Sequence, residues 1–160
     1  MTEKPQLRLV GSSRDNPLNK KRLKTWIRLL RTTRKAEAHL REMLRIQYDT
    51  TLPRFDVMAA LYRRRDGTTM SELSRLLLVS NGNATTIVDR LEADGLCQRQ
   101  ASSSDRRSVR VRLTPEGVEA FEAMAADHET EIARLFAAWN ASDLDSLSRI
   151  LKKLSTEDAS

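Results

Sequence analysis

The sequence predicts a mainly α-helical chain with one small β-hairpin, a winged helix-turn-helix domain flanked by N- and C-terminal dimerisation helices. Three observations predict it. Between Leu77 and Leu96, Ala84, Ile87, Val88 and Leu91 fall at i, i+3, i+4 and i+7, one stripe of a helix. Just beyond, Arg107–Leu113 alternates basic and apolar residues with the period of two of a half-buried strand. Apolar residues also keep a helical period over about 21–49 and 115–155, more than one small winged domain can cover.

Each element has its own start and stop signals. Residues 1–20 contain Pro5, Gly11, Ser12, Ser13, Asn16 and Pro17 with little periodicity, which predicts a flexible basic arm before a domain over 21–160. From Lys21 to Tyr48, Trp26, Leu29, Leu30, Leu40, Met43 and Leu44 mark the first helix. The winged part spans about 50–114. Thr51 N-caps its first helix, Pro53 is tolerated in the first turn, and Phe55, Met58, Ala59 and Tyr62 form an inward stripe that ends before Asp66–Gly67. Thr68–Thr69 is a candidate third strand at the base of the hairpin, and Thr69–Met70–Ser71–Glu72 is a capping box for a short helix carrying Leu73, Leu76 and Leu77. Residues 78–80 turn, Ser80 caps the next helix, and Gly95 is its C′ residue. Leu96–Ala101 reads as a strand and Ser102–Asp105 as a turn. Thr114 caps and Pro115 opens a helix that runs through Phe136 to Trp139 before Asn140–Ala141. Ser142–Asp145 is a capping box for a last helix with Leu144, Leu147, Ile150, Leu151 and Leu154 on one face.

Charge is uneven along the chain. The net charge is +6, but residues 1–49 carry net +8, residues 50–114 net +4 and residues 115–160 net −6. All 11 basic residues of the middle segment are Arg, which forks onto guanine or phosphate and enters narrow minor grooves. A basic middle beside an acidic helical end suits a polyanion-binding domain with separate helices for self-association. The same composition fits an architectural nucleic-acid binder without sequence preference. One cysteine excludes an internal disulfide framework and a cysteine-rich zinc site. There is no long apolar run for a membrane span, no secretory signal at the N-terminus, no phosphate loop and no nucleophile elbow. The expectation is a cytoplasmic protein that is not an enzyme and needs no metal or cofactor.

The outward side of the helix after Ser80 is unusual for a solvated face. Asn81, Gly82, Asn83, Thr85 and Thr86 supply amides, hydroxyls and a close-approach position, with no Lys or Glu. Asn can bond an adenine edge, Thr can meet a thymine methyl, and Gly lets backbone come near. Arg90, one turn on, is a candidate phosphate contact. With Ser80 these residues make a major-groove reading helix, and Asp105, Arg106 and Arg107 at the hairpin tip reach towards the neighbouring minor groove.

Asp105–Arg–Arg–Ser–Val–Arg–Val–Arg–Leu–Thr114, together with Met70–Ser–Glu–Leu–Ser74 and Val88–Asp–Arg–Leu–Glu–Ala–Asp–Gly–Leu96, resembles the MarR family of multiple-antibiotic-resistance regulators over roughly Lys21–Leu154. The resemblance implies a homodimer on a palindromic double-stranded operator, released by a small-molecule effector. It also implies that Arg107 inserts into the groove and that Asp105 positions it. Runs at Thr50–Leu61 and Val79–Asn83 are similar to the subgroup that controls aromatic-acid degradation and answers to aryl coenzyme A thioesters. An aromatic carboxylate or such a thioester is therefore the expected effector. Candidate ligand residues are Trp26, Tyr48, Phe55, Met58 and Tyr62, with Arg28 and Arg45 for the anion; ordinary core is the leading alternative for each aromatic. Cys97 reads as a buried inert thiol or, alternatively, as the sensor of a redox-responsive regulator.

Overall fold

A computed structural model describes residues 16–101 and 109–155. The chain divides into two units, Met1–His39 and Leu40–Ser160. The first helix, α1 (Pro17–Tyr48), begins four residues earlier than the expected arm allows. Asn16 is the cause: its Oδ1 accepts from the Leu18 backbone N at 2.9 Å, and Pro17 occupies the first helical position. The Asn–Pro pair is thus a start signal, and the expected arm shortens to residues before Asn16, which lie outside the described ones. Between residues 16 and 39 no side chain is buried; Leu18, Leu23, Ile27 and Trp26 (58% exposed) lie open.

The second unit packs around α2 (Leu52–Tyr62). Thr51 accepts from the Arg54 backbone N, and Pro53 sits in the first turn, as expected. Four α2 residues are buried, Phe55, Val57, Met58 and Leu61, so the helix is enclosed over more than the one stripe expected. Around it stand Leu40, Met43 and Leu44 from the end of α1 and Leu73 from α3 (Met70–Leu77). Ala84, Val88 and Leu91 come from α4 (Asn81–Ala93), and Phe121 and Met124 from α5 (Pro115–Leu135). Of the leucines that α3 carries, Leu73 is buried and Leu76 is exposed; Ser74 is buried as well.

The sheet has three antiparallel strands in the order β1-β3-β2, where β1 is Thr68–Thr69, β2 Cys97–Ala101 and β3 Val109–Leu113. Thr68 pairs with Val111 and Arg99 also faces Val111, so the small third strand expected at the base of the hairpin is present. Gly95 turns the chain at φ +74°. Its carbonyl accepts from Thr114 Oγ at 2.7 Å, and the Leu96 carbonyl accepts from Thr114 N at 3.1 Å. The start of α5 is therefore stitched to the start of β2. The fit is tight enough that a Cβ on Gly117 would lie 1.8 Å from the Leu96 carbonyl oxygen.

Two C-terminal boundaries differ from expectation. α5 ends at Leu135 rather than Trp139: Phe136 closes the helix, and Trp139 packs edge-on against it at 5.1 Å. α6 (Ala141–Ser155) is capped by Asn140, not by Ser142. Asn140 Oδ1 accepts from Asp143 N at 3.0 Å and Asp143 Oδ2 accepts from Asn140 N at 3.1 Å, a reciprocal cap two residues upstream of the expected one. No α6 side chain described is buried; Leu144, Ile150, Leu151 and Leu154 are all exposed.

Candidate nucleic-acid interface

α3, a three-residue turn and α4 form the helix-turn-helix. The Thr69 capping box starts α3, and the Glu72 carboxylate receives the Thr69 backbone N–H at 3.0 Å and the Thr68 and Thr69 hydroxyls at 3.0 and 3.1 Å. The Thr69 backbone donor, then the two hydroxyls, hold its pKa down at about 2. α3 stops at Leu78, which takes the left-handed conformation (φ +54°) although it is not glycine, and its side chain is 92% exposed. Ser80 then caps α4, accepting from Asn83 N at 3.2 Å.

Ser80, Asn81, Gly82, Asn83, Thr85, Thr86 and Arg90 are all exposed, and α4 brings them together on the side away from Ala84, Val88 and Leu91. The two threonines donate their hydroxyls back along the helix, Thr85 to Asn81 O at 2.8 Å and Thr86 to Gly82 O at 3.0 Å. What they offer outward is methyl surface and oxygen lone pairs. Asn81 differs from its neighbours: its Oδ1 accepts from Ser74 Oγ, which ties α3 to α4. Gly82 is helical and a Cβ there would meet nothing within 4 Å. Asp105, Arg106 and Arg107 lie outside the described residues.

Sequence reading missed the residues that hold this helix in place. Arg99 on β2 pairs with Asp89 at 2.5 Å and with Glu92, both on α4. Arg54 on α2 pairs with Asp94, the C-cap of α4, at 2.5 Å. Asp89 and Glu92, three apart on a helix followed by an Arg-bearing strand, were the available signal.

The expected ligand residues do not converge on one cavity. Tyr48 and Met58 line a cavity of about 320 Å³ with Arg54, Asp49 and Asp94. Phe55 lines a second, of about 720 Å³, with Asp56, Arg63, Arg64, Leu76, Leu77 and His128. Tyr62 lines neither; its hydroxyl donates to Glu122 at 2.6 Å and its ring lies 4.7 Å from Phe121. Arg45 is exposed and paired with Glu42 at 2.7 Å. Trp26 and Arg28 belong to the other unit. Tyr48 donates to Asp127 at 2.6 Å, which pushes its pKa up to about 12. Cys97 is 2% exposed beside the Val88 carbonyl, and burial pushes its thiol up to about 11. Among the described residues no cluster of His, Cys, Asp or Glu could hold a metal, and no helix is long and apolar enough to cross a membrane.

A capped, polar-faced second helix followed by two strands that join β1, the strand ahead of α3, in one sheet defines a winged helix-turn-helix fold. The family model described as MarR matches residues 50–109. The HTH-type transcriptional regulator YkoM of Bacillus subtilis is 38% identical over 62% of this chain, and the chain spans 64% of that protein's length. The transcriptional repressor MprA of Escherichia coli is 36% identical over 52% of this chain and 48% of its own length. A crystal structure of a mutant MarR from Escherichia coli complexed with operator DNA superposes with a TM-score of 0.72 at 26% identity, covering 87% of this chain and 98% of that one. Residues 50–109 thus match the MarR family of regulators, and the likeness to solved MarR-family structures runs over most of the described chain.

Proposed function

We propose that this protein is a homodimeric repressor that reads a palindromic operator and is released by an amphipathic aromatic anion. Gly82 carries the DNA-reading part. A glycine inside a helix costs up to about 1 kcal/mol relative to alanine. The protein's own packing gives no reason for it, since a Cβ there would stand in open space. A nucleic-acid backbone or base edge brought against the first turn of α4 does give one. Asn83, Thr85 and Thr86 flank it as readers, and Arg90 one turn on holds phosphate. The repressor name of MprA and the operator complex of Escherichia coli MarR support the same reading. DNA as the partner implies a cytoplasmic location.

The dimer is supported by apolar surface that the chain leaves open, Leu18, Leu23, Trp26 and Ile27 on α1 and Leu144, Ile150 and Leu154 on α6. A two-fold pair matches a palindrome.

For the effector, charge separates the two cavities. The smaller sets Arg54 against Asp49 and Asp94, a poor home for an anion. The larger sets Arg63 and Arg64 against Asp56, and its histidine is held towards the neutral form by burial. Its apolar walls include Phe55, stacked on His128 at 4.7 Å, and its size lies in the range of small-molecule sites. It favours an aromatic carboxylate or its coenzyme A thioester, with Arg63 and Arg64 at the charged end. Leu76 and Leu77 end α3 immediately before the turn into α4, so a ligand touching them biases the reading helix. It regulates by binding the DNA-incompetent state better. The redox alternative is disfavoured by the buried, protonated thiol of Cys97.

Genomic fragments retained by the purified protein supply the operator for one titration at fixed salt, against an unrelated duplex, with free acids and thioesters added. Preference for the operator by about 10³-fold or more supports sequence reading. Equal affinity would make the protein an architectural binder. No release by either ligand class would remove the effector assignment.

A further inference from the structure

We propose that Arg99 is a positioning residue for DNA reading, a clamp that sets the recognition helix α4 at a fixed offset from the wing. The inference rests on the operator-reading function above. Arg99 Nη2 donates to Asp89 Oδ1 at 2.5 Å, and its Nη1 pairs with Glu92. The Arg99 backbone N also donates to Glu92 Oε1 at 2.9 Å. One guanidinium thus holds two acids of the same helix turn, and the backbone that carries it is the middle of β2, opposite the buried Val111. A forked guanidinium fixes direction as well as distance, which a point charge does not. The Arg99 side chain is 28% exposed, so the clamp is partly sheltered from salt.

The clamp has a second consequence for binding. Asp89 adjoins Arg90 and lies one turn from Thr86, on the helix that faces the polyanion. Held by Arg99, its carboxylate is neutralised. Released, it stands beside Arg90 and repels phosphate. Loss of Arg99 therefore acts on DNA reading twice, through the angle between helix and wing and through an unmasked negative charge. Neither effect comes from Arg99 touching DNA.

The test compares the full-length protein with R99Q and R99K, measuring affinity for the operator and for an unrelated duplex at fixed salt, with melting temperature alongside. R99Q is expected to lose about tenfold on the operator, the scale of one lost base contact, and less on the unrelated duplex, where only the unmasked charge acts. R99K keeps the charge without the fork and recovers part of the loss. In the R99Q background, Asp89→Asn recovers operator affinity by removing the unmasked charge, a gain that a purely structural role would not produce. Should R99Q fail to fold, R99K carries the test through its own loss of discrimination. The proposal is overturned if a folded R99K or R99Q discriminates as well as the parent, or if both affinities fall together and Asp89→Asn rescues nothing. A parent protein that does not prefer its operator would overturn the function proposed above, and this role with it; a discriminating parent with an indifferent Arg99 overturns this role alone.

Discussion

Two helical glycines illustrate opposite reasons for the same residue. At Gly117 a Cβ would sit 1.8 Å from the Leu96 carbonyl, so the start of α5 and the start of β2 can meet only if that position has no side chain. Gly117→Ala is expected to destabilise the fold by about 1–3 kcal/mol or more, as overpacking does, and urea unfolding measures it. Gly82 has no such neighbour. Gly82→Ala is expected to stabilise the protein by up to about 1 kcal/mol while weakening operator binding. Opposite signs of the two effects are the signature of a position kept open for a partner. Greater stability with unchanged binding would show that α4 does not approach DNA at Gly82. The wing makes its own prediction: Arg107→Ala should weaken operator binding by about 1–3 kcal/mol, with Asp105→Ala acting in the same direction but less. Unchanged affinity in folded Arg107→Ala would exclude the minor-groove role.

At the scale of elements, caps were legible and ties between elements were not. Thr51, Thr69, Ser80 and Thr114 each accept from the backbone where the sequence placed them, because a cap and its target lie within three residues. Asn16 was read as part of an arm and Asn140 as a break, although each starts a helix. The Asp89–Arg99–Glu92 clamp and the Arg54–Asp94 pair needed the packing of α4 on β2 and α2, which local periodicity does not specify. For the same reason the sequence did not show that the side-chain oxygen of Asn81, a candidate base reader, accepts from Ser74. The α3 cap has a pH signature. The Glu72 pKa is lowered from 4.5 to about 2, so its contribution to stability is complete above the ordinary carboxylate value and is lost as pH falls through about 2. Glu72→Gln should therefore be less stable than the parent at neutral pH, and the difference should close between pH 4.5 and about 2 in denaturant midpoints measured across that window. A difference independent of pH would mean that the carboxylate charge plays no part in the cap.

For the whole molecule, large apolar residues of α1 and α6, among them Leu18, Leu23, Trp26, Ile27, Ile150 and Leu154, are exposed among the described residues. Their stripes were plain in the sequence, since a 3.6-residue period survives whether the partner is the same chain or another. Which cavity suits the proposed effector was not plain, because it turns on which of several Arg and Asp side chains meet around Phe55 or Met58. Removing the chain after Ala141 is expected to give aggregated or unfolded protein, and the parent should unfold at a temperature that rises with protein concentration. A folded, operator-binding monomer from that truncation, seen by sedimentation, would refute the dimer.

The Arg99 clamp also bears on the order in which the molecule forms. Its partners lie seven and ten residues away along the chain, whereas the Arg110–Gly67 bond beside the β1–β3 pairing spans 43. Closing a short loop costs less entropy than closing a long one. Helix α4 and strand β2 can therefore find each other early in refolding, before the outer edge of the sheet is sealed. Amides of α4 and β2 should then gain protection from pulsed hydrogen exchange ahead of those in β1. The segment proposed to read DNA would be the part that nucleates the fold.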